Sequence, residues 1–136
     1  MTESIETIRI AAVGDLHCAR GAAGALKPVF AEIVESADVL VLCGDLTDQG
    51  LPEEASTLAR EIRAAAMIPT VAVLGNHDVE AGKEQEVRRI LREAGVTVLD
   101  GDTAEFFGVG FAGPTRPAWA ISARRVAASP LYSDLT

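Results

Sequence analysis

Histidine is scarce in this chain: only His17 and His77 occur among 136 residues. Any site built on imidazole must therefore use one or both of them. Cysteine is equally sparse, and Cys18 and Cys43 are too few for the disulfide framework of a small secreted fold, so both are expected as reduced thiols. Basic residues are outnumbered, 12 Lys and Arg against 20 Asp and Glu, giving a formal net charge of -8. That balance disfavours a binder of the nucleic-acid backbone, whose affinity comes from clustered cations, so no strong nucleic-acid binding is expected. No apolar run reaches the roughly 18 residues of a membrane span. Met1 to Ile10 lacks the basic flank and apolar stretch of a signal peptide, so the expected location is cytoplasmic, with no membrane partner. Internal repeats, heptads and low-complexity tracts are also missing.

The sequence does hold a hydrophobic content of 49%, enough for one packed core at this length. Ile8 to Val13, Val39 to Leu42 and Thr70 to Leu74 are short, continuously apolar and rich in β-branched residues or leucine, as strands covered on both faces are. Between them, Leu26, Phe30, Ile33, Val34 and Ala37 form one helical stripe, and Ala55, Leu58, Ala59, Ile62 and Ala66 a second. A third stripe, Val87, Ile90, Leu91 and Ala94, ends at Gly95, which suits the left-handed position past a helix; Val96 to Leu99 then predicts a fourth strand. Such alternation predicts an α/β fold with a largely parallel sheet, right-handed crossovers and flanking helices. Glu105 to Phe111 predicts one more strand. Past Gly113 the prolines Pro114, Pro117 and Pro130 break both periods, so the expected division is a domain over 1–113 and an irregular or poorly ordered tail over 114–136. A short helix over Ala118 to Ala128 is the alternative for part of that tail, since Ala and Arg favour helix.

Three short sequences follow the three strongest strands: Gly14-Asp15-Leu16-His17, Gly44-Asp45-Leu46-Thr47-Asp48 and Gly75-Asn76-His77-Asp78. The carboxyl ends of parallel strands share one rim, where ligand crevices form, so these loops are expected to meet. Their residue types match a dinuclear site for divalent ions: Asp15 and His17 offer oxygen and nitrogen, Asp45 can bridge, and Asn76 offers a neutral oxygen. Two-ion sites stabilise the entering and leaving oxygens of an in-line displacement at phosphorus. Gly14, Gly44 and Gly75 each precede a candidate ligand, where a Cβ would hinder the exit from a strand. Taken singly, Asp15 and Asp45 read as loop or cap residues, Asn76 as a turn residue with positive φ, and His17 as a surface histidine. The ordered triple outweighs those separate readings.

The set D-x-H, G-D-x-x-D, G-N-H-D, each after a strand, resembles the calcineurin-like metallophosphoesterase family over roughly residues 8 to 111. The resemblance implies half of a four-layer α/β/β/α sandwich and metal-dependent hydrolysis of phosphomonoesters or phosphodiesters. It implies two divalent ions (Mn, Fe or Zn), with Asp15 and His17 on the first, Asp45 bridging and Asn76 on the second. His77 would be the general acid, its ring oriented by a hydrogen bond to Asp48. Family members carry a further histidine and a G-H-x-H element in a second half, and both histidines here are already assigned. The expectation is a truncated or frameshifted chain that leaves the family pattern near Pro114, with much of the second sheet missing and self-association through the exposed sheet. The alternative function is a degenerate, catalytically inactive domain of the same family.

Other features read as structural. Cys18 and Cys43 read as small hydrophobes, Asp78 and Glu80 as turn or helix-cap residues, and Glu53 and Glu54 as first-turn acids complementing a helix dipole. Gly108 to Gly113 fits G-x-G-x-x-G, but Pro114 and Pro117 stand where the helix should begin.

Overall fold

The computed structural model describes residues 7–21, 24–65, 68–115 and 121–125. Four strands, β1 (Ile10–Val13), β2 (Val39–Cys43), β3 (Thr70–Val73) and β4 (Thr97–Val98), form a parallel sheet in the order β1-β2-β3-β4. The connections carry α1 (Lys27–Ser36), α2 (Pro52–Ala65), the short α3 (Asn76–Val79) and α4 (Glu84–Glu93). When every step along a sheet runs in one direction, right-handed crossovers place all helices on the same face. α2 accordingly packs between α1 and α4.

The apolar stripes fall where the sequence places them. Phe30 of α1, Ala55, Leu58 and Ile62 of α2, and Val87 and Leu91 of α4 are buried against Leu40, Leu42 and Ala72 of the sheet. Ala66 lies outside the described residues. Gly95, just past α4, has φ of 94°, the left-handed conformation expected of it.

The opposite face of the sheet is covered as well, which explains why β2 and, past Thr70, β3 are continuously apolar. Val39, Val41, Val71 and Val73 point away from the helices into a second core that includes Leu99, Val109 and Phe111. That core lies under a three-stranded antiparallel sheet of β5 (Thr103–Phe106), β6 (Val109–Ala112) and β7 (Ser122–Arg125), ordered β5-β6-β7. The described residues thus make helix, parallel sheet and antiparallel sheet layers.

Three expectations are corrected here. The single strand over Glu105 to Phe111 is a hairpin: Phe106 pairs with Val109, and Phe107 and Gly108 turn with φ of 55° and 78°. A two-residue loop with two positive φ values matches the twist of the flanking strands, and the Phe-Gly pair hides it inside an apolar run. The tail after Gly113 is not irregular throughout, because Ser122–Arg125 pairs along β6, from Val109↔Arg125 to Ala112↔Ser122. The unpaired main-chain edge of β6 outweighs the helix preference of Ala and Arg at 122–125. Residues 118–120 and 126–128 of the helix considered there lie outside the described residues. Finally, enough of the second sheet is present to bury the valines of β2 and β3; among the described residues of the parallel sheet, the exposed apolar positions are on edge strand β1, where Ile10 is 40% exposed. Gly108 and Gly110 belong to this hairpin, so the G-x-G-x-x-G pattern is no nucleotide loop.

Among the described residues, no helix is long and apolar enough to cross a membrane. Phe111, fully buried between the sheets, reports on whether they are docked. Phe111→Ala is expected to lower stability by about 3–5 kcal/mol in urea unfolding. A loss below about 1 kcal/mol would show the antiparallel sheet to be undocked, since a large buried ring cannot be removed so cheaply.

Candidate metal centre

The three loops at the carboxyl rim are joined mainly by backbone. His17 N–H donates to Asp45 O at 3.0 Å, Cys18 N–H to Leu46 O at 2.9 Å, and Asp48 N–H to Cys18 O at 3.1 Å. This short parallel bridge, Cys18 opposite Thr47, carries the β1–β2 pairing past the sheet into the loops. The loops after β2 and β3 are tied by a carboxylate. Asp78, completely buried, accepts from Leu46 N–H (3.0 Å), Thr47 N–H (2.8 Å), the Thr47 hydroxyl (2.7 Å) and Gly75 N–H (2.8 Å). Reading Asp78 as a helix cap captures only the last of these bonds. Asp45 adds a further tie, its Oδ1 accepting from His77 N–H at 3.0 Å.

Close approach of these loops dictates Gly75: a Cβ there would run into the amide and carboxylate of Asp45. Gly14 has a different environment, with only ordinary contact near its missing Cβ. Backbone strain is concentrated at the rim. Asp15, His17 and Asp45 have φ of 54°, 45° and 50°, and Phe107 is the one other described non-glycine residue with positive φ. Asp and His tolerate this conformation better than most residues, and strained positions gather where a site needs side chains aimed together. Asn76, expected in a positive-φ turn on its structural reading, instead opens α3.

The result brings together His17, Asp45 and His77, whose ligand atoms lie within 4.8 Å of one another. The two imidazoles meet edge to face with centroids 4.6 Å apart. Asp15 stands beside this group, its Oδ1 3.7 Å from His17 Nε2, with its side chain 71% exposed. Asn76 is exposed next to His77 in sequence. Asp48 supplies a different atom from the one expected: its main-chain carbonyl oxygen, not its carboxylate, lies 2.7 Å from His77 Nδ1. Backbone folding over the Cys18–Thr47 bridge sets that carbonyl, and no sequence pattern announces it. The Asp48 carbonyl is the first cause that holds the His77 pKa above its ordinary 6.5, with Asp45, Glu80 and the Asp48 charge adding to it against partial desolvation. Glu80 reaches to 3.8 Å from the same nitrogen.

The cysteines stay outside this group. Burial, followed by the charges of Glu61 and Glu54, pushes the Cys18 thiol up to about 11, and burial also raises Cys43. A neutral thiol is a poor metal ligand. Glu54 serves the helix start, its Oε1 accepting from Gln49 N–H (2.8 Å) and Leu51 N–H (3.1 Å).

Two imidazoles and a carboxylate are a donor set suited to a divalent transition ion, so the residues present fit a metal. The family model for calcineurin-like phosphoesterases matches residues 8–116, from just before β1 past the end of β6. No curated protein matches the chain.

Asp78→Ala would leave several buried donors unmet, each costing about 1–3 kcal/mol. The expected loss in urea unfolding is at least about 3 kcal/mol, with metal affinity weakened in the folded fraction. A change within about 0.5 kcal/mol would show that this carboxylate does not hold the loops.

Proposed function

The chain belongs to the calcineurin-like phosphoesterase family, and we propose that it hydrolyses phosphoesters, mono- or diesters, at a divalent metal centre on the carboxyl rim of its parallel sheet. The observation that carries this reading is the meeting of His17, Asp45 and His77 from three separate loops. A bound divalent ion would supply Lewis acidity toward a phosphoryl oxygen and a water of lowered pKa. Asp45 and His17 would hold it, with Asp15 beside His17. In the two-ion form of the proposal the ions would be Mn, Fe or Zn, with Asp15 and His17 holding one, Asn76 the other, and Asp45 serving both. His77 would give its proton to the leaving oxygen, its ring set by the Asp48 carbonyl rather than by the Asp48 side chain. A cytoplasmic location and the absence of a nucleic-acid or membrane partner belong to the same reading.

A second reading, a metal-binding domain without turnover, is favoured by one observation: with only two histidines, the chain's own ligands for two ions are few. Incubating the purified chain with manganese and a chromogenic phosphodiester decides between them. Hydrolysis is expected to fall at least about 100-fold in both Asp45→Asn and His77→Ala, the scale of losing metal placement or general acid catalysis. Turnover indistinguishable from these variants would establish the second reading.

Self-association through the open side of β1 is also proposed, because Ile10 and Ala12 are exposed there on an edge strand. Light scattering is expected to report a concentration-dependent mass that Ile10→Lys reduces; a monomer at all concentrations would dispose of the idea.

A further inference from the structure

The peptide unit between Asp48 and Gln49 is gripped at both ends. Its carbonyl oxygen lies 2.7 Å from His77 Nδ1, and its N–H donates to Glu54 Oε1 at 2.8 Å. A carbonyl oxygen can only accept, so Nδ1 carries the proton in the first bond. No described peptide bond is cis, and the C=O and N–H of a planar trans peptide point in opposite directions. Carboxylate, peptide and imidazole therefore form one chain of hydrogen bonds, with Glu54 at one end and His77 at the other.

Helix capping accounts for only half of what Glu54 does. Leu51 immediately precedes α2, and an acid three residues on that reaches back to its N–H is an ordinary helix start. Gln49 lies two positions before Leu51, where no cap needs a partner, yet its bond to Glu54 is the shorter one, 2.8 Å against 3.1 Å. Glu54 is 3% exposed, so water does not compete for its carboxylate. The turn around the peptide is fixed as well. Asp48 N–H donates to Cys18 O at 3.1 Å and Gly50 N–H to the Thr47 hydroxyl at 3.0 Å, while a Cβ on Gly50 would stand 2.7 Å from the carbonyl oxygens of His77 and Asp78.

We infer that Glu54 is a positioning residue for His77, acting through the peptide between Asp48 and Gln49. A negative acceptor on the peptide N–H polarises the amide and makes its carbonyl a stronger acceptor, because hydrogen bonds in a chain strengthen one another. That carbonyl holds Nδ1 protonated and fixes the ring plane, which leaves Nε2 as the nitrogen that gains and loses a proton. No proton passes through the peptide; Glu54 supplies orientation and charge. Glu80 is the other acid near Nδ1, but at 3.8 Å it stands outside hydrogen-bond reach. In the proposed hydrolysis the chain of bonds selects the nitrogen that serves the leaving oxygen, and for that consequence the assignment rests on the proposed function.

Nitrogen-15 NMR of the metal-free full chain, at a pH where both rings are neutral, reads the tautomer of His77 directly, and His17→Gln tells the two rings apart. His77 is expected in the Nδ1–H form, the one that free histidine disfavours. Glu54→Ala should lower the ratio of Nδ1–H to Nε2–H at least about 5-fold, the scale of one lost hydrogen bond. Glu54→Gln keeps an oxygen for the helix start but loses the charge; it should lower the ratio at least about 2-fold, and it carries the test should Glu54→Ala not fold. Glu53→Gln removes the exposed acid next to it in the same helix turn and should leave the ratio unchanged. The assignment is overturned by a parent chain in the Nε2–H form, by a parental ratio in folded Glu54→Ala or in Glu54→Gln, or by an equal fall in Glu53→Gln. Because the measurement needs no turnover, a chain that hydrolyses nothing leaves this result standing, and an unchanged ratio leaves the proposed hydrolysis standing.

Discussion

The whole rim depends on the buried carboxylate of Asp78. Four donors from two loops converge on its two oxygens, and none of them has another route to satisfaction once water is excluded. Because two of those donors are the amides of Leu46 and Thr47, immediately after Asp45, the bond network positions the Asp45 backbone as firmly as it positions α3. A charged acceptor strengthens each bond relative to a neutral one, and full burial removes competition from solvent. The glycine at position 75 is the steric counterpart of this network, since loops drawn this close leave no space for a side chain between them.

From that constraint the chemistry follows in steps. Loop two is held by Asp78, loop one is hydrogen-bonded to loop two through main-chain groups of His17, Cys18 and Asp48, and the left-handed backbone at Asp15, His17 and Asp45 turns their side chains toward one another. Strain of this kind persists only where the surrounding bonds overdetermine it, and here they do. The three loops then present nitrogen and oxygen donor atoms on a sheet edge backed by two packed faces and a covered set of valines. A rigid support is what a metal centre needs, because ligand atoms must be held near bonding distance before the ion arrives.

Much of this was legible along the chain. Continuous apolar runs revealed the strands of a sheet covered on both sides, and stripes ending at Gly95 revealed the helices, because burial imposes a period that neighbours in sequence display. The chemistry-bearing triplets were visible for the same reason: each is local to one strand exit. The hairpin at Phe107-Gly108 was not visible, since its turn lies inside an apolar run without the usual Asn or Asp. Strand β7 was hidden too, as Ser-Ala-Arg-Arg becomes a strand only through the edge of β6 beside it.

The sequence alone determined which groups could do chemistry, the family they resemble and the rim on which they stand, because residue type and strand order are written in one dimension. Tertiary structure decided which atoms meet. It turned Asp78 from a cap into the tie between loops, gave the His77 ring the carbonyl of Asp48 instead of its carboxylate, and set that ring against His17 and Asp45. Main-chain oxygens are the same in every residue, and contacts across some thirty positions of chain depend on how backbones pack, so neither leaves a mark in the order of the amino acids.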